Sequence, residues 1–259
     1  MSDNLVTVEK RGEVAVVTFD RGGSLNAFNQ ALIIELTQVA RSFQDDLETR
    51  AVVLTGRTDA FSAGIDLKER STRDDDASSD LELREVYYRG VKLCQAWEDM
   101  PQITIAAIEG MAVGAGVALP LALDWRVMSR DAFLYVPEVK IGINLQWGAL
   151  PRLVSMVGPA RAKRICILCE RMSSQHALDW GLVDEVSDAG RAVALAVDLA
   201  AQAASMPPVA TRMVKEAVNA MSGALHKVSA YADADQSALS SASRDARTAS
   251  AAFVKGSAS

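Results

Sequence analysis

The sequence is poor in the residues on which several large protein classes depend. Only three cysteines (Cys94, Cys166, Cys169) and two histidines (His176, His226) occur in 259 residues. Three cysteines cannot build a disulfide framework and fit a reducing compartment, so the expected location is the cytoplasm. Cys166 and Cys169 form a CxxC within KRICILCE. A zinc or redox site of that kind needs a second pair, and the flanking Ile165, Ile167 and Leu168 mark a buried helix instead. The histidines stand in separate helical contexts, which argues against a His-centred triad or metal site, and no metal is expected. Basic excess is missing too. Lys and Arg number 27 against 33 Asp and Glu, a net charge of −6, which leaves no positive field to hold nucleic acid or an anionic membrane. There is no GxSxG elbow and no phosphate loop ending in GK[ST]. The N-terminal MSDNLVTVEKRGEVAV lacks the basic start and apolar block of a signal peptide.

What is present is the composition of a globular domain: 49% hydrophobic and 23% charged residues, enough to bury a sizeable core. One apolar run, Ile103–Leu123, is long enough to cross a bilayer, and Gly110 and Gly114 even form a GxxxG. Glu109 near its middle, and the helix breakers Gly110, Gly114, Gly116 and Pro120, point instead to a strand (ITIAAI), a glycine turn and a helix from about Ala115 to Asp124.

The remaining pattern alternates strands with helices. Leu5–Glu9 and Val14–Phe19 alternate apolar and polar residues around Arg11-Gly12, as a hairpin does. Asn29–Phe43 carries apolar residues at helical spacing, with Asn26 or Asn29 as N-cap. Ala51–Thr55 reads as a strand and Asp59–Leu67 as a small-residue loop. The polar, low-complexity Glu69–Asp80 reads as a mobile loop, and Leu81–Met100 as a helix stopped by Pro101. Trp125–Ser129 and Ala132–Tyr135 read as strands; Leu150–Val157, Ala160–Leu168 and Ser174–Trp180 as helices. From Gly190 the chain is Ala-rich and helical, broken at Pro207-Pro208. This order predicts an α/β core over residues 1–195 and a helical region over 196–259.

Two small-residue turns remain as candidates for chemistry: Phe61-Ser62-Ala63-Gly64-Ile65-Asp66, and Gly110 to Gly116. Each is either a tight packing turn or a place where open backbone amides meet an anion. Here the sequence resembles a family. TDAFSAGIDLKE (Thr58–Glu69) is similar to the crotonase, or enoyl-CoA hydratase/isomerase, pattern FxAGxDLKE. IAAIEGMAVGAGVALPLALDWRV is similar to that family's IAAxxGxxxGGGxELxLxCDxRx. YVPEVKIGI and LPRLVSMVGPARAKRICILCERMSSQHALDWGLVDEV continue the likeness in the same order over nearly the whole chain.

The resemblance implies a spiral of ββα units followed by C-terminal helices that pack in a homotrimer, commonly doubled to a hexamer. It implies an acyl-CoA thioester as substrate, with no cofactor beyond the coenzyme A that the substrate carries. By motif position, the enolate would be held by the backbone N–H groups of Ala63 and Ala115, each worth on the order of 3 kcal/mol. Ala115 stands where the family usually has glycine. The coenzyme would lie along Ser62, Ala63, Gly64, Ile65 and Asp66, with Asp66 fixing that loop. Arg57 and Lys68 are candidates for its phosphates, or solvated charges. Trp147 and Tyr135 flank the pocket segment and read as packing residues, and Asp124 as a structural hydrogen-bonding group.

The family's hydratases use two glutamates. Ala118 takes the place of the first, while the second is retained as Glu138. Adding water suits two carboxylates, whereas moving a double bond needs one that takes a proton from C2 and returns it at C4. The resemblance therefore implies a 3-enoyl to 2-enoyl isomerase with Glu138 as acid and base. The alternatives are a hydratase, other CoA-thioester enolate chemistry, and a crotonase-like protein that binds acyl-CoA without turnover.

Overall fold

The computed structural model describes residues 4–72, 79–246 and 248–249, with backbone alone for 70–72. Strands β2 (Val14–Phe19), β3 (Ala51–Thr55) and β4 (Ile103–Ile108) are apolar and buried almost throughout, as expected for a parallel sheet covered on both faces. With β1 (Val6–Arg11), β6 (Trp125–Ser129) and β9 (Glu185–Ser187) they form a six-stranded sheet in the order β1-β2-β3-β4-β6-β9. The β1–β2 hairpin is antiparallel and every other pair is parallel. A second, three-stranded sheet joins β5 (Met111–Val113), β7 (Phe133–Tyr135) and β8 (Met172–Ser173). The repeating step is one long strand in the first sheet, one short strand in the second, and then a helix.

The two-residue period of a strand sorts its side chains between two cores. Val17, Phe19, Leu54 and Ile108 face helices α1 (Gln30–Ser42) and α3 (Asp80–Glu98), which supply Leu32, Leu36, Leu93 and Trp97. Val16, Val53, Ile105 and Ala107 face α7 (Ala192–Ala204). That helix presents Ala192, Ala196, Ala200 and Ala204, one methyl per turn on the same face. The expected division at residue 195 thus falls inside a helix that packs on the sheet. The chain leaves the sheet at Pro207-Pro208, where α8 (Pro208–Ser222) turns 110° from α7. Helices α9 (His226–Ala230) and α10 (Asp233–Ser241) follow. Among the described residues no single helix is long and apolar enough to cross a membrane.

Several local expectations change. Asn29 is the cap of α1, accepting from the Leu32 N–H at 2.9 Å. Asn26 is instead buried and donates to the Phe19 and Phe61 carbonyls at 3.0 Å each. The helix expected from Ala115 to Asp124 is only α4, Ala115–Ala118, followed by a 3-10 turn at Pro120–Ala122, because Pro120 has no N–H to continue the ladder. The polar Glu69–Asp80 begins helical, in α2 (Leu67–Thr72), and ends at the Ser79–Glu82 capping box of α3; its residues 73–78 lie outside the described residues. The two helices expected at 150–168 are both present as the halves of α5 (Ala149–Leu168), separated by the non-helical backbone of Gly158, and Ser174–Trp180 is α6 (Ser174–Asp179).

One buried ion pair ties α8 to the sheet. Asp124 Oδ2 accepts from the Thr104 N–H at 2.7 Å, the Thr104 hydroxyl at 2.9 Å and Lys215 Nζ at 2.7 Å. Lys215 also donates to the Gln102 carbonyl at 2.7 Å. Asp124 is therefore structural, as its position suggested. Asp124→Ala would strand a buried ammonium and is expected to cost about 3–5 kcal/mol in urea unfolding. The double variant Asp124→Ala/Lys215→Met should recover part of that loss; no recovery would show the pair is not what holds α8.

Candidate functional site

The site lies beyond the C-terminal ends of two adjacent parallel strands, β3 and β4, where open α/β sheets present their crevices. The turn after each strand runs against the other. Ser62 N–H donates to the Met111 carbonyl at 3.0 Å, and Val113 N–H donates to the Ser62 carbonyl at 2.9 Å. Such an approach demands a residue without a side chain: at Gly64, where φ is +93°, a Cβ would sit 2.8 Å from the Val113 carbonyl oxygen.

A parallel bridge between Phe28 and Ile65 then decides which amides stay open. Phe28 N–H donates to the Gly64 carbonyl at 2.7 Å, and Asp66 N–H donates to the Phe28 carbonyl at 2.9 Å. Ile65, between them, turns its own N–H the other way, and that N–H meets no acceptor among the described residues. The Ala115 N–H, at the first turn of α4, likewise has none. Both residues line one cavity of about 310 Å³, and so does Glu138.

This arrangement corrects part of the expected site. The Ala63 N–H donates to the Leu25 carbonyl at 3.0 Å, so it is already engaged and not open to a substrate oxygen; Ile65 carries the open amide of this loop. Ser62 and Gly64 do not line the cavity. Ser62 is wholly buried, and its hydroxyl accepts from the Gly64 N–H at 3.1 Å. Ile65, Asp66 and Ala115 do line it. Asp66 fixes the loop as expected: it accepts from Arg21 at 2.6 Å and from the Lys68 N–H at 2.8 Å, at the start of α2. Burial pulls its carboxyl up, but Arg21 and the backbone amides more than offset this and hold it below its ordinary value. Arg57 pairs with Asp59 at 2.8 Å, and Lys68 is exposed. Trp147 is a cavity wall and Tyr135 is not. The Trp147 indole fills the space that a side chain at Gly90 would take, and packs edge-on against Phe28. Neither histidine reaches this cavity.

Glu138 opens a 3-10 turn after Pro137. Its Oε2 is buried with no hydrogen-bond partner. Burial disfavours the charged form and pushes the carboxyl up to about 7, into the range where a carboxyl both takes and returns protons near neutrality. Ala118, buried in the same wall, adds only a methyl group. The other acids of the lining are engaged: Asp66 as described, and Glu69, which accepts from the Gln30 N–H at 3.0 Å. Sequence reasoning missed the wall residues Gln30, Gln146 and Ser237. They come from three distant segments, and no local motif marks them.

The family model described as enoyl-CoA hydratase/isomerase matches residues 9–256. The chain is 33% identical over 220 residues to a short-chain-enoyl-CoA hydratase of Clostridium acetobutylicum, covering 85% of this chain and 82% of that one. It is 33% identical over 221 residues to a mitochondrial enoyl-CoA hydratase of Pongo abelii, covering 83% and 73%. Its structure is similar to that of an enoyl-CoA hydratase from Bacillus anthracis, with a TM-score of 0.78, 31% identity, and coverage of 88% and 89%. A second likeness is to an enoyl-CoA hydratase from Mycobacterium avium subsp. paratuberculosis, with a TM-score of 0.85, 27% identity, and coverage of 97% and 96%.

Gly114 joins β5 to α4 at φ +52°, and a Cβ there would overlap Glu138 Oε1. Gly114→Ala is therefore expected to cost about 1–3 kcal/mol in thermal unfolding, from the left-handed backbone and the collision together. A variant as stable as the parent, with Glu138 unmoved, would show that this contact is not tight.

Proposed function

The chain belongs to the enoyl-CoA hydratase/isomerase family, and on that premise we propose that it converts a 3-enoyl-CoA to the 2-enoyl isomer, with Glu138 as its single acid and base. The observation that carries this reading is one unpartnered carboxyl, raised to about 7, sharing a cavity with two open amides while Ala118 offers no second carboxyl. The thioester oxygen would sit between the N–H groups of Ile65 and Ala115. The Glu138 carboxylate takes a proton from C2, and the electron pair moves onto the thioester oxygen as a dienolate. Charge that develops there meets two preorganised donors. The protonated Glu138 then delivers its proton to C4, the C2–C3 double bond forms, and no atom is gained or lost.

Hydration of a 2-enoyl-CoA is the second reading, favoured by the names of the relatives. It would require Glu138 alone to activate water and deliver a proton. The exposed apolar residues Val209, Met213, Val214, Val218 and Met221 on α8 support assembly with further copies of the chain, as a homotrimer or a dimer of trimers.

Glu138→Gln keeps the shape and removes the base. It is expected to lower kcat/KM for a 3-enoyl-CoA by roughly 10²–10⁴, and unchanged turnover would end the single-base mechanism. In the parent, kcat/KM should rise with pH through about 7, because the carboxylate is the active form. Stability should run the opposite way. The folded protein holds this proton up to about 7 and the unfolded chain only up to about 4.5, so stability falls as pH rises between those values. The Gln variant should therefore gain more in melting temperature over the parent at pH 8 than at pH 5.

A further inference from the structure

Helix α10 closes one side of the cavity. It is held there by the Gly148 N–H, which donates to Asp233 Oδ2 at 2.7 Å, by an Arg84–Asp235 ion pair at 3.3 Å, and by Asn144, which donates to Gln236 Oε1 at 3.3 Å. Ser237 is the residue of this helix that lines the cavity. It is 0% exposed, and its hydroxyl has no partner. Neighbouring serines behave differently: the hydroxyls of Ser240 and Ser241 donate back to the Ser237 carbonyl at 3.1 and 2.7 Å, the usual local solution for serine in a helix. A buried hydroxyl left unpaired is unfavourable, and here its residue borders the space that a ligand would fill.

The surroundings limit which ligand that is. Ile33, Val86, Ile143 and Leu145 make the wall largely apolar, and its charged groups are the acids Asp66, Glu69 and Glu138. Among the described lining residues there is no lysine, arginine or histidine, so the charges that a carboxylate on the acyl chain would meet from those residues are all of its own sign. A neutral oxygen suits the site, because a serine hydroxyl can both donate to it and accept from it. Resting on the acyl-CoA reading of this cavity, we propose that Ser237 is a specificity residue that hydrogen-bonds a neutral oxygen, hydroxyl or carbonyl, carried by the acyl chain beyond the reacting carbons.

The test is calorimetric binding of saturated thioesters, which needs no turnover. The full chain and Ser237→Ala are each titrated with hexanoyl-CoA, 5-hydroxyhexanoyl-CoA, 6-hydroxyhexanoyl-CoA and the six-carbon ω-carboxyl thioester. At least one hydroxylated thioester is expected to bind the parent about 10-fold more tightly than hexanoyl-CoA, the fold-change of one well-made hydrogen bond. Ser237→Ala should erase that preference and leave hexanoyl-CoA binding unchanged. The ω-carboxyl thioester should bind more weakly than hexanoyl-CoA. Because the hydroxyl has no partner to lose, the variant should melt no lower than the parent. The proposal is overturned by equal binding of the neutral thioesters, a preference that survives in the variant, tighter binding of the carboxylate, or a lower melting temperature. If no thioester binds at all, the acyl-CoA reading itself fails and takes this one with it.

Discussion

Everything in the site depends on two backbone hydrogen bonds, from Ser62 N–H to Met111 and from Val113 N–H to Ser62. They knit the turn after β3 to the turn after β4. A loop on its own would leave its amides to water, and their aim would be lost. Joined, the two turns form part of the sheet framework, and their unpaired N–H groups are fixed before any ligand arrives. Preorganisation of this kind is what makes a donor more useful in a site than in solution, since no reorganisation is needed when charge develops.

The same closeness creates the chemistry of Glu138. The turn brings Gly114 so near its carboxyl that no side chain could stand between them. The apolar wall that includes Ala118 withholds any partner from Oε2. A carboxyl in that setting is unfavourable for stability when charged, and for the same reason it exchanges its proton near neutrality, as the proposed base must. Had Ala118 been a second acid, the two groups would have shared charge and protons, and addition of water would be the natural chemistry. With a methyl there, the proposed isomerisation needs only a proton that leaves and returns by one route.

The large elements were legible because burial on two faces leaves a plain mark: β2, β3 and β4 are nearly continuous apolar runs. The short strands β5, β8 and β9 were not: two or three residues carry no period, and of the strands this short only β7, with its Phe133-Leu134-Tyr135 run, stood out. Pro120 was visible in the sequence, but its power to end α4 after a single turn was underestimated. In the site, Glu138, Ala115 and Asp66 line one cavity, while the Ala63 N–H expected to be open donates to Leu25 and the Ile65 N–H is open instead. The motif locates the segment, but Gly64, at φ +93°, turns the chain between Ala63 and Ile65, so the motif does not say which of their N–H groups is engaged. Only the pairing of Phe28 with Ile65, across more than thirty residues, settles which of them is open. Ser237 was out of reach for a simpler reason: nothing local distinguishes it from the serines beside it, and its role arises from where α10 packs.

The most direct measurement gives the purified protein a 3-enoyl-CoA and a 2-enoyl-CoA in parallel and follows mass and 2-enoyl absorbance. Conversion of the 3-enoyl thioester at constant mass, with the 2-enoyl thioester gaining no water, is expected from one base between two amides. A gain of one water on the 2-enoyl thioester, with the 3-enoyl thioester untouched, would contradict it.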